Sequence, residues 1–271
     1  MNALTIDIED WYHVCGVEHN IPAEKWDEYE SRVVQNTEKI LAILADKDIK
    51  ATFFVLGYIA NKFPHLVKEI DAQGHEIATH GFWHRLIYRQ DKDAFSKDLK
   101  DSLVLLEDII GKKILGHRAA SFSIVKDTLW TLDILAEQGL RYDCSIFPTI
   151  HPRYGIADAP RFPYDAKPDL IEFPPSTIRL MGANFPIAGG FYFRFLPYFL
   201  IKTAIRRLNS QGQPAQIYVH PWEIDTQQPK LDIRFDRSFT HYFNISSVAG
   251  KLKALLGDFN FAPVKEVLRI G

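Results

Sequence analysis

Short β-type runs alternate with longer runs of helical period along this chain, and that alternation constrains the fold more than any other feature. The spacing predicts strands near 2–8, 50–55, 75–79, 114–118, 141–145, 170–174 and 215–220. It predicts helices near 36–47, 65–73, 92–111, 127–139 and 195–209. Units of this kind imply a parallel sheet or barrel, and such folds bind ligands at the carboxyl ends of their strands. Asp7, His80, Arg118, Asp143 and His220 each stand at or just past such an end. Although scattered over the sequence, they would converge on one mouth. The segment 146–168 carries Pro148, Pro152, Pro160, Pro163 and Pro168, too many for regular structure, and is expected to loop over that mouth.

The 271 residues suffice for one large α/β domain of roughly 200 to 250 residues with an extension, and nothing forces a second domain. Basic and acidic residues number 32 and 34 and are mixed along the chain, so no basic surface for nucleic acid is expected. Cys15 and Cys144 are too few for a disulfide framework and read as reduced thiols. Met1-Asn2-Ala3-Leu4 leads straight into the first strand with neither a basic nor a long apolar leader, so a cytoplasmic location is expected. The apolar run 191–201 is broken by Arg194 and Pro197 and falls short of the ~20 residues of a membrane span. A core or cleft wall is expected there, with contact to a membrane surface as the alternative. The 19 Phe, 11 Tyr and 5 Trp fill a core and leave aromatics for a sugar-binding cleft, with Trp83, Trp222 and Phe122 as candidates to flank a sugar ring.

His80 and His84 lie four apart in Thr79-His80-Gly81-Phe82-Trp83-His84, a spacing that places two imidazoles on one side of a helical turn. Glu does not follow the first His, so the H-E-x-x-H protease signature does not apply. A catalytic metal site takes about three protein ligands, and Asp7-Ile8-Glu9-Asp10 offers the carboxylate to complete one. Strand alternation favours Glu9, which shares a face with Asp7, while a curled strand end would bring in Asp10. His75 is expected to pack in a strand. His13, His19, His65, His117, His151 and His241 have no comparable partners, and surface or supporting roles are their default.

At these residues the chain resembles the NodB-like polysaccharide deacetylases of carbohydrate esterase family four, over about residues 3 to 225. Thr5 to Asp10 is similar to the family's motif of a base aspartate and a metal-binding carboxylate. His80 to His84 is similar to its H-[ST]-x-x-H, with Gly81 in place of the hydroxyl residue. Arg118-Ala119-Ala120-Ser121-Phe122 resembles its Arg-x-Pro motif, with Ala120 where proline is usual, and Ile217 to Glu223 resembles the strand that ends in His. More narrowly, Asp7 to His13, Tyr142 to Pro148, Glu172 to Ser176 and Tyr218 to Glu223 look like the subgroup associated with exosortase-linked exopolysaccharide loci.

The resemblance implies a distorted (β/α) barrel in a single domain over 1–271, with 226–271 as a C-terminal extension. It implies a divalent metal, zinc being expected, and an N-acetylated sugar as substrate, either an oligosaccharide or a carrier-linked precursor of an exopolysaccharide. His80, His84 and Glu9 or Asp10 would hold the metal. Asp7 would act as general base, Arg118 would keep it ionised and oriented, and His220 would protonate the leaving amine with Asp143 orienting its ring. The metal and a backbone N–H near Ser121 would stabilise the oxyanion. A cyclic amidohydrolase on the same fold and an inactive sugar-binding module are the competing readings.

Overall fold

The computed structural model describes residues 1–14, 21–187 and 189–270, so Cys15 and His19 lie outside the described residues. The chain opens with β1 (Asn2–Ile8), α1 (Val33–Ala45), β2 (Thr52–Val55), α2 (Gly57–Lys62), α3 (Pro64–Ala72), β3 (Glu76–Thr79) and α4 (Lys92–Ile110). It continues through β4 (Gly116–His117), α5 (Thr131–Glu137), β5 (Tyr142–Asp143), β6 (Tyr164–Lys167), β7 (Leu170–Glu172) and the hairpin β8 (Thr177–Leu180) and β9 (Ala183–Pro186). The last elements are α6 (Gly190–Phe195), α7 (Tyr198–Ser210), β10 (Gln216–Val219), α8 (Phe235–Tyr242), α9 (Val248–Asp258), β11 (Phe261–Ala262) and α10 (Val264–Leu268).

Every residue of β1 is buried, because the strand lies inside the sheet and is covered on both faces. Leu4, Ile6 and Ile8 join the large core beneath the helices, while Ala3 packs with Phe54, Ala78, Tyr142, Cys144, Phe173 and Val264 in a smaller cluster. The sheet runs β10-β1-β2-β3-β4-β5-β7-β6, parallel throughout except for β6, with β11 beside the start of β1. It curls into a half-barrel: the parallel sheet is what the alternation implied, and its distorted barrel form is what the resemblance implied. Gly189 adds a parallel bridge to Tyr218, and a Cβ there would overlap the Tyr218 carbonyl oxygen, so only glycine permits the approach.

Helix α4 illustrates how the frame is fixed locally. Asp91 accepts a hydrogen bond from Ala94 N at 2.8 Å as its N-cap, Gly111 ends it at φ 67°, and Phe95, Leu99, Leu103 and Leu106 form the buried stripe. Each such side chain contributes about 1.5–3 kcal/mol by burial. The helix expected over 195–209 is two helices, since Pro197 denies the ladder a donor and holds Leu196 extended. The helix expected from 127 starts at Thr131, and β4 and β5 are two residues each. No pattern had suggested α2, the β8–β9 hairpin or the elements of 226–271. In addition, β6 falls inside the 146–168 segment expected to lack regular structure, because residues 164–167 lie between Pro163 and Pro168 and pair antiparallel with β7.

Candidate metal centre and catalytic cleft

Past the carboxyl end of β1, Glu9 turns inward while Asp10 turns back. Glu9 Oε1 lies 2.9 Å from His80 Nε2 and 2.9 Å from His84 Nε2, all three residues being buried. Asp10 is consumed elsewhere: it accepts from Trp11 N (3.0 Å), Arg32 N (3.0 Å), Val33 N (3.2 Å) and Ser31 Oγ (2.5 Å), which closes the N-terminal turn of α1. Of the two carboxylates left open by the sequence, the geometry therefore joins Glu9 to the histidines.

The helical turn expected for His80 to His84 is absent. Both histidines stand on an irregular loop after β3, in which Gly81 (φ 73°) and His84 (φ 52°) take left-handed conformations. Asp98 of α4 pins the loop by accepting from Phe82 N at 2.7 Å and Trp83 N at 3.3 Å. A Cβ at Gly81 would stand 3.0 Å from that same carboxylate, which accounts for glycine where a hydroxyl residue was expected.

The donor set fits a cation. His80 Nδ1 donates to the Arg118 carbonyl at 2.7 Å, which turns Nε2 to Glu9: when protonated it donates to that carboxylate, and in the neutral ring it offers the lone pair that a cation would take. Burial would push the Glu9 carboxyl up, but His84, His220 and the bonds from His80 and His84 outweigh it and hold it well below the usual range. A buried carboxylate facing two imidazole nitrogens needs positive charge between them, and Glu9, His80 and His84 are the residues that would hold it.

Asp7 points into the same cleft. Arg118, wholly buried, donates from Nη1 to Asp7 Oδ1 at 2.5 Å and to Thr5 Oγ1 at 2.8 Å, and from Nη2 to Gln216 Oε1 at 2.9 Å. Its guanidinium also lies 4.1 Å from the Phe54 ring centroid, so β1, β2 and β10 together fix its position. The second Asp7 oxygen is 3.8 Å from His220 Nε2.

His220 is oriented by Glu223 rather than by Asp143. Pro221 starts a short 3₁₀ turn, and Glu223 reaches back from its third position to accept from His220 N (3.0 Å) and from Nδ1 (2.8 Å), in the manner of a capping box. Burial alone would lower the imidazole pKa, but Glu223, Glu9 and Asp7 outweigh it and raise it to about 9. Arg194 backs Glu223 as an ion pair at 2.8 Å (Nε to Oε1) without the alignment of a hydrogen bond. Trp222 stacks between His220 and His241 with centroids at 5.1 and 4.5 Å. Asp143 instead binds His117 Nδ1 (2.8 Å) and Ser145 Oγ (2.6 Å), and Ser145 Oγ accepts from Ala119 N (2.7 Å). This network props the loop that carries Arg118.

Among the other histidines, His75 is buried just before β3 and accepts from Ala51 N. His13 is buried against Trp26 and His241 beside Gln228, so of the surface or supporting roles expected for them the surface one is excluded. His65 is exposed and His151 stacks on Tyr154 at 3.7 Å. The cleft has a volume of about 200 Å³, with Asp7, Glu9 and His84 on its floor. His151, Arg153 and Tyr154 of the proline-rich loop line it together with Phe191, Arg237 and Thr240. Trp222 and Phe122 reach it; Trp83 packs outside, 6.0 Å from Tyr58 and 6.3 Å from Trp26. Ser121 and Phe122, at φ 50° and 55°, form a strained turn on its wall. Glu223 and Arg194 were the residues missed by sequence reasoning. An acid three residues after a His-Pro step, and a lone cation inside an apolar run, were their signals.

A parallel half-barrel with a two-histidine, one-carboxylate cluster beside an arginine-bound aspartate defines the class, and comparison with known proteins agrees. A family model described as polysaccharide deacetylase matches residues 25–142, and one described as a domain of unknown function, DUF3473, matches 144–269. A chitooligosaccharide deacetylase from Rhizobium leguminosarum bv. trifolii is 36% identical over 124 residues, 44% of this chain and 55% of that protein. A peptidoglycan-N-acetylglucosamine deacetylase from Bacillus cereus is 34% identical over 76 residues, 28% of each chain. These matches thus span about a quarter to a half of the curated relatives. A solved Mycobacterium smegmatis protein, provisionally named a polysaccharide deacetylase, superposes with a TM-score of 0.63 at 20% identity over 98% of this chain and 88% of that one, a likeness of fold. The two family models meet beside β5, within one continuous sheet.

Proposed function

We infer that the protein is a metal-dependent N-deacetylase that removes acetyl groups from N-acetylhexosamine units of an exopolysaccharide or its carrier-linked precursor. The observation that carries this reading is the placement of Asp7, held by Arg118, between His220 and the Glu9, His80 and His84 cluster. An amide is a poor electrophile and water a poor nucleophile; a bound divalent ion, zinc by the nitrogen-rich donor set, would supply Lewis acidity. Asp7 takes the proton of the attacking water through the oxygen not engaged by Arg118. His220, held as imidazolium with one proton on Glu223, presents Nε2 to the cleft and protonates the departing amine. Ser121 on the wall is the backbone donor for the developing oxyanion.

Pairing of β11 with β1 supports treating residues 1–271 as one domain with 226–271 as an extension. The buried free thiol of Cys144 suits a reducing cytoplasm. Metal analysis of the purified protein, with acetate release from N-acetylglucosamine oligomers, tests the reading. Hydrolysis of small cyclic ureides without acetate release, or a metal-free protein that binds sugar unchanged, would replace it.

A further inference from the structure

We propose that the aromatic and basic rim built by α6 and α8 docks on an anionic lipid bilayer, bringing the cleft mouth to N-acetylated sugars anchored there. The identity of the sugar rests on the deacetylase reading, while the docking rests on the surface itself. Phe191 and Phe195 of α6 stack at 5.4 Å, and Phe191 lies 6.3 Å from Phe239 of α8. Phe243 joins them, 5.9 Å from Phe195 and 5.0 Å from Phe239. Phe235 is 85% exposed, Phe195 54% and Phe239 44%. Single exposed phenylalanines are ordinary, but a contiguous set beside a functional cleft marks a partner.

Charge and position select the partner. At the mouth, Arg153 and Arg237 line the cleft, and Arg234 precedes α8. The acid of that helix, Asp236, is engaged by Arg234 at 3.1 Å, and Asp7 and Glu9 are recessed on the cleft floor. Protruding Phe among arginines is the composition of an interfacial segment that sinks its apolar side chains and meets lipid phosphates with its cations. Phe191 belongs both to the patch and to the cleft lining. A protein, or a second copy of this chain, seated on the patch would therefore cover the mouth. A bilayer instead offers sugars that project from its surface into the mouth.

Co-sedimentation with vesicles of phosphatidylethanolamine and phosphatidylglycerol, against vesicles of phosphatidylcholine, tests this without reference to turnover. The protein should partition onto the anionic vesicles, and more weakly as salt rises. The double variant Phe235→Ser, Phe239→Ser should lose about tenfold or more of that binding, while its melting temperature and its turnover of a soluble N-acetylglucosamine oligomer match the parent. Equal vesicle binding by parent and double variant would overturn the proposal, as would a parent that stays in solution. A variant that only dissociates a dimer, with no vesicle binding by the parent, would also overturn it by showing a contact between copies. Vesicle binding by a protein that releases no acetate would leave the docking surface standing and remove the deacetylase reading.

Discussion

Replacing Glu223 by Gln should move the alkaline limb of the pH–rate profile while leaving the metal in place. Glu223 is the foremost of the groups that raise His220, touching both its Nδ1 and its backbone N–H. A rise from the ordinary 6.5 to about 9 corresponds to ~3 kcal/mol of preference for the imidazolium in the folded protein. Because the folded pKa is raised, the protonated acid is present at neutral pH and is lost as pH climbs towards 9. A cation held by Glu9 offsets that carboxylate's share, leaving Glu223 and Asp7 to sustain the rise. An opposite charge at this range is worth about 1–3 pKa units, so the limb should fall by at least about one unit in Glu223→Gln. Activity at pH 8.5 should then drop by at least about threefold relative to the parent, with a much smaller loss at pH 6.5. Stability follows the same sign: the contribution of His220 is complete below pH 6.5 and disappears between there and about 9, and the variant should show a shallower decline over that window. Glutamine keeps an oxygen for Arg194, which limits the damage to the buried ion pair. The assay is kcat/KM for acetate release from pH 5.5 to 10, with metal content and melting temperature measured alongside. An unmoved limb in a folded, metal-loaded variant would refute the assignment of His220 as the acid held by Glu223.

His80→Ala and His84→Ala should each lower metal affinity by about 10–100-fold or more, read by metal analysis after dialysis against a weak chelator. Asp10→Ala should leave metal content unchanged and cost about 1–3 kcal/mol in urea unfolding, since several donors around the start of α1 lose their acceptor. Asp7→Asn should keep the metal and lose about 10²–10⁴ in turnover, and acetate release near the parent rate would show that Asp7 is not the base. With the loop from 146 and α8 both lining a cleft of about 200 Å³, short N-acetylhexosamine oligomers should release acetate faster than long polymer at equal acetyl concentration; the reverse order would show a through-running groove.

The fold was legible where the helical period and strand alternation were long. The buried stripe of α4 and the apolar β1 left little choice of conformation. What escaped was structure that depends on distant partners. The two-residue strands β4 and β5 exist because neighbouring strands complete their ladders, and β11 exists because the start of β1 lacks a partner on that side. The site followed the same division. Residues at strand ends were visible as a set, and Arg118 does meet Asp7. The contest between Glu9 and Asp10 turned on Ser31 and the amides of Arg32 and Val33, more than 20 residues away, which no local pattern connects to them. Asp143 looked free to serve His220 because nothing in the sequence ties it to His117.

The pairing of β1 also sets an order of assembly. Its partner β2 is synthesised within about fifty residues, yet β10 and β11 join it only through contacts such as Ala3 with Gln216 and Asn2 with Phe261. The strand that carries Asp7 and leads to Glu9 is therefore made well before the strands that enclose it. Until those distant strands arrive, a nascent chain carries an apolar strand with an open edge, the kind of segment that invites wrong pairing and slows folding. Chaperone dependence during expression should accordingly track lesions in β10 and β11 as strongly as lesions in β1 itself.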